Sequence, residues 1–134
     1  MKKLFILLFS FLLLTSPSVF SSETLLYCIT ENRTGFQGAE VFGFDEKKLI
    51  LSFSDDFRLL ELNDREIDKL STYKCKIEQS YPDELFCIQD STVPFIFLYH
   101  LKNKKFTFFE GSILGYPSGG TDTTVVSIGT CTEF

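Results

Sequence analysis

Thr72-Tyr73-Lys74-Cys75-Lys76-Ile77-Glu78, then Gln79-Ser80-Tyr81-Pro82-Asp83, then Glu84-Leu85-Phe86-Cys87-Ile88-Gln89: this stretch sets two of the chain's four cysteines symmetrically about Tyr81. Two strand-like arms, residues 72–78 and 84–89, flank a turn-rich centre. Folded as an antiparallel hairpin, they stand Cys75 directly opposite Cys87. Opposed residues have Cα atoms about 4.5–5.5 Å apart, a separation that a disulfide accepts. Four cysteines allow three pairings, and this spacing favours Cys75–Cys87 with Cys28–Cys131. The second bridge would then join the first strand to the last. Closing so long a loop is worth about 4–5 kcal/mol in the chain-entropy model. A zinc site would need close cysteine pairs or added histidines. The gaps here are long and the only histidine is His100, so neither a metal nor a cofactor is expected.

Outward from the hairpin, short β-type runs alternate with turn signals. Residues 25–30 and 40–44 come first, the latter after Gly35 and Gly38. In residues 48–54, Leu49, Leu51 and Phe53 alternate with Ile50, Ser52 and Ser54, and residues 57–62 follow the Asp55-Asp56 turn. Downstream, residues 93–100 and 104–110 form a hairpin around Leu101-Lys102-Asn103, and residues 124–131 make a final β-branched strand. Such runs, rich in Phe, Ile and Leu and spaced about 8–12 residues apart, indicate an all-β domain. The expected architecture is a small antiparallel barrel or sandwich. One segment departs from the pattern. Asn63-Asp64-Arg65-Glu66 is an Asn variant of the capping box, Leu62 and Ile67 are placed for a hydrophobic staple, and Ile67 and Leu70 share a helical face. These signals predict one short helix over residues 64–71.

At the start of the chain, Lys2-Lys3 precede the apolar run of residues 4–14 and the small, polar stretch Thr15-Ser16-Pro17-Ser18-Val19-Phe20-Ser21. That layout is a secretory signal peptide, with cleavage expected after Ser21. The run is shorter than the about 20 apolar residues that span a bilayer, so the membrane is reached only if the leader stays uncleaved. Tyr27 stands where a lipobox before Cys28 would need a small residue. Residues 22–134 are expected to be one secreted or periplasmic domain and a monomer, with two disulfides suited to an oxidising compartment. Removal of Lys2 and Lys3 leaves 11 basic against 18 acidic groups, a net charge of −7 compared with −5 for the whole chain. Acidic balance excludes nucleic acid, whose phosphates require clustered Lys and Arg. Twelve of the sixteen phenylalanines remain in this domain, enough for a core.

Enzyme signatures fail in turn. His100 ends an apolar run with no nucleophile motif beside it. Tyr116-Pro117-Ser118-Gly119 lacks the glycine spacing of a nucleophile elbow, and residues 115–120 lack the Lys-Ser/Thr of a phosphate cradle. Asp55, Asp56, Glu61, Asp64, Glu66 and Asp68 are numerous, but glycoside hydrolysis needs two carboxyls across a cleft. Asp64-x-Glu66-x-Asp68 starts like a calcium loop, yet Lys69 stands where that loop needs Gly and Cys75 where it needs Glu. Asn32-Arg33-Thr34 is a glycosylation sequon. The expectation is therefore a non-enzymatic binding protein directed at an envelope or extracellular protein. Alternatives are an inhibitor of a cationic hydrolase such as a lysozyme, a barrel carrying a small apolar ligand, or a carboxylate hydrolase. Contact surfaces are expected around residues 32–38 and in the loop 115–123, where Tyr116 and Asp122 are the candidate binding residues, because loops on a rigid scaffold carry function.

Overall fold

A computed structural model describes residues 23–37, 39–65, 68–91, 95–111 and 123–134. Nine strands form one antiparallel sheet: β1 (Thr24–Gln37), β2 (Glu40–Gly43), β3 (Lys48–Phe53), β4 (Leu59–Asp64), β5 (Lys69–Glu78), β6 (Tyr81–Gln89), β7 (Ile96–His100), β8 (Lys105–Glu110) and β9 (Thr124–Glu133). Each strand from β3 to β8 pairs with the next along the chain, and β9 returns to pair with β1. The result is a closed eight-stave barrel rather than a sandwich. β1 pairs with β3 through residues 24–29 and with β2 through residues 34–37. β2 and β3 are thus one return stave, interrupted at residues 44–47.

Alternation decides what fills the barrel. Leu26 and Cys28 on β1, Leu49, Leu51 and Phe53 on β3, and Leu60 and Leu62 on β4 all point inward. Tyr73, Leu85, Phe97, Tyr99, Phe106 and Phe108 complete the core from the far staves. Phe97 stacks on Phe106 with ring centroids 5.2 Å apart and touches Phe108 at 5.6 Å. Eight staves enclose an interior just wide enough for side chains to fill, and these rings fill it. Tyr99 has its phenol pushed up to about 12 by burial and, less strongly, by Glu133.

Both disulfides form between directly opposed residues. Cys75–Cys87 clasps β5 to β6, and Cys28–Cys131 crosses the β1–β9 seam that closes the barrel. The pairing read from the symmetry about Tyr81 is the one observed. The turn is tighter than expected, with Glu78 facing Tyr81 across Gln79-Ser80 and a register shift taken up beside it. An oxidising compartment outside the cytosol fits these bridges.

No helix occurs among the described residues, so the one expected over residues 64–71 is replaced. β4 continues through Asp64 and β5 begins at Lys69, and Asp64 pairs with Lys69 across the turn. Glu66 and Ile67, which carried half of the capping box and staple, lie outside the described residues. The reason for the difference is tertiary: Leu60, Leu62 and Asp64 share the inward face, and the buried Asp64 carboxylate meets Lys47, the residue just before β3. Asp68 takes a left-handed conformation, φ 47°, which Asp tolerates better than most residues. Residues 1–21, where a leader is expected, also lie outside the described residues.

One glycine is required at the seam. A Cβ on Gly129 of β9 would overlap the Ile29 carbonyl oxygen and lie 2.8 Å from the Phe106 ring. Gly129→Ala is therefore expected to cost about 3 kcal/mol through overpacking against backbone. Chemical denaturation measures it, and a loss below about 1 kcal/mol would show that the seam yields.

Candidate functional site

The end of the barrel reached by the end of β4 and the start of β5 differs from the rest. An extra residue in β1 at Glu31, between the Thr30 and Asn32 pairings with β9, makes a β-bulge. Bulges re-aim side chains by shifting the alternation. Before it Leu26, Cys28 and Thr30 face inward; after it Arg33 and Gly35 do. Beyond the bulge, β1 and β2 form a hairpin flap over this end.

A buried charge cluster fastens the flap. Thr30 N–H donates to the Lys47 carbonyl at 3.0 Å, and Lys47 N–H donates to Thr30 Oγ1 at 2.6 Å. This double tie aims the Lys47 side chain across the barrel. Its Nζ lies 2.6 Å from Asp64 Oδ2 and 2.8 Å from Glu110 Oε1, and 5.9 Å from the centre of the Phe108 ring. Glu110 Oε2 in turn faces Arg33 Nη2 at 3.6 Å. Arg33 Nη1 donates to the Asp45 carbonyl at 3.1 Å, and its guanidinium lies 5.5 Å from the Phe44 ring centre. Two cations and two carboxylates thus join β1, β4, β8 and the segment between β2 and β3 above the apolar core. Side-chain exposures of 7% for Lys47 and 6% for Asp64 put that pair in the interior. Beneath it, burial raises the Tyr73 phenol above its ordinary range, and the charge of Glu110 adds to the rise.

On the flap itself the balance reverses. Phe44 folds back onto Gly35, where any Cβ would overlap the ring. Even so, Phe36, Val41, Phe42 and Phe44 remain exposed, Val41 at 64%. Glu40, Asp45 and Glu46 are exposed close by in the chain, Glu46 in an outer-wall groove with Lys48 and Arg65. The flap thus presents apolar side chains on both faces, Phe36 with Val41 on one and Phe42 with Phe44 on the other.

Residues 32–37, expected to be a loop, are strand, and Gly38 lies outside the described residues. So do Tyr116 and Asp122, the two candidate binding residues. The ends of the connection that carries them are described: Gly111, at φ 97°, packs against the Thr123 carbonyl, and the Thr123 methyl approaches Gly35. That connection therefore leaves and re-enters the barrel beside the flap. His100 is at the opposite end, with Nδ1 accepting from Asn103 N–H at 3.4 Å. It borders an outer-wall groove of about 340 Å³ shared with Glu84, Lys105 and Thr107. The carboxylates that were close in sequence disperse. Asp55 and Asp56 sit in the β3–β4 turn, Glu61 is exposed on β4, and Asp64 is inside at the flap end. Among the described residues no three His, Cys, Asp or Glu side chains are grouped to hold a metal.

Sequence reasoning missed Arg33, Lys47 and Glu110. A signal was present for two of them. Lys47 keeps the phase of Leu49, Leu51 and Phe53, and Glu110 keeps that of Phe106 and Phe108. No family model, curated protein or solved structure matches the chain.

Proposed function

We propose that the protein is an exported, non-enzymatic binding module that grips an envelope or extracellular protein through the flap. The observation that carries this reading is the exposure of the opposed pair Phe36 and Val41 on one face of the hairpin, with Phe42 and Phe44 exposed on the other, on a mount fixed by buried charges. Exposed apolar patches rimmed by polar groups mark interaction surfaces. The nearby acids Glu40, Asp45 and Glu46 and the net charge of −5 select a partner with a basic face, such as a cationic hydrolase, because opposite potentials steer encounter. The leader-like start and the two disulfides fit a site of action outside the cytosol.

Photo-crosslinking in the producing cell tests the reading. A benzophenone side chain at Val41 is expected to give one discrete protein adduct, whose yield falls about tenfold or more as salt screens the encounter. The same group at Leu59, exposed at the opposite end, should give none. Equal adducts from both positions, or none from Val41, would overturn the reading.

A further inference from the structure

The barrel is closed along every stave, but among the described residues β2 pairs on one side only, with β1. Its hydrogen-bonding phase identifies the free groups. Phe44 N–H donates to the Arg33 carbonyl at 3.0 Å, and in an antiparallel pair the backbone groups of successive residues alternate in direction. Phe42 and Glu40 therefore share the direction of Phe44, toward β1. The N–H and C=O of Val41 and Gly43, opposite Phe36 and Thr34, point away from the barrel. β3 continues in line with β2 along the same side of β1, so it does not lie beside this edge. A side chain on Gly43 would meet nothing within 4 Å. Exposed edges are templates for another strand, and proteins usually protect them with lysine, proline or a covering loop. β2 itself contains neither lysine nor proline.

We infer that β2 is a docking edge: an extended basic–apolar segment of the partner adds as a strand beside Val41 and Gly43. This rests on the flap being the contact surface and specifies how that surface binds. Main-chain bonds would supply affinity and alternate side chains the specificity. Apolar side chains of the added strand would extend the Phe36–Val41 face, and basic ones would meet Glu40, Asp45 and Glu46. The same acids disfavour a second copy of this chain, since pairing β2 with β2 would bring the two sets of acids together.

The probe is a blocked decapeptide of alternating lysine and valine, followed by amide exchange and titration calorimetry at low salt. Slowed exchange is expected at Val41 and Gly43, the two outward-facing amides. Gly43→Pro deletes one outward N–H that β1 does not use, and should weaken binding about tenfold or more. Gly43→Ala retains that N–H and should bind within about twofold of the parent. A peptide N-methylated along one edge should not bind. If Gly43→Pro binds the peptide normally while Phe42→Ser weakens it, side chains alone make the contact and the edge inference falls, although the flap reading stands. Indifference to both substitutions would remove both readings. Protection of Val41 and Gly43 that grows with protein concentration in the absence of peptide would assign the edge to self-pairing and overturn the inference.

Discussion

Lys47→Met lowers the stability of the barrel by about 3–5 kcal/mol, the range for removing one partner of a buried ion pair. The substitution keeps the length of the side chain and removes only its charge. Asp64 and Glu110 both lose the Lys47 ammonium, in a layer floored by Phe108, while Glu110 keeps Arg33. Replacing the pair as a unit behaves differently. Lys47→Met with Asp64→Leu recovers most of the loss, because apolar groups of similar volume can equal a buried pair, and Glu110 keeps Arg33. Urea denaturation of the parent, single and double variants measures this. A single-variant loss under about 1 kcal/mol would show that the pair behaves like one on the surface.

Removing the seam disulfide has an effect of the same size by another route. Cys28→Ala with Cys131→Ala is expected to cost about 4–5 kcal/mol in the chain-entropy model, whereas Cys75→Ala with Cys87→Ala costs about 3 kcal/mol. Sequence separations of 103 and 12 set that order. The two pairs of variants are compared by denaturant midpoint under oxidising conditions. Equal losses would mean that native packing, not the unfolded chain, decides what each bridge contributes.

Local signals explain which parts of this architecture were legible beforehand. Cys75 and Cys87 lie in one hairpin, so symmetry about a turn revealed their pairing, and elimination gave the other bridge. Alternation in residues 48–53 and 105–110 marked strands for the same reason: period two is written into consecutive residues. The helix expected over residues 64–71 failed because its evidence was also local while the deciding contact was not. Asp64 reads as a solvent-facing residue of the helix that Asn63 would cap, until Lys47, seventeen positions earlier, is placed beside it. The flap was hidden by Gly35 and Gly38, which read as breaks although Gly35 is the strand position that admits the Phe44 ring. Arg33 faces inward only because Glu31 shifts the alternation, and no single-residue cue marks a bulge of that kind.

The β1–β9 seam also imposes an order of events on folding. Hairpins between β3 and β8 join neighbours in the chain and can form early, but the cylinder cannot close until the last strand meets the first. Topologies dominated by such non-local pairing fold slowly, on a scale of about milliseconds to seconds. Until closure, β1 and β9 are the two bare edges of an open, twisted sheet, the species most exposed to pairing with other molecules. The Cys28–Cys131 bridge can trap the cylinder only after those edges have met. Conditions that oxidise thiols before closure should therefore divert the chain into aggregates, while the finished barrel has joined both of these edges.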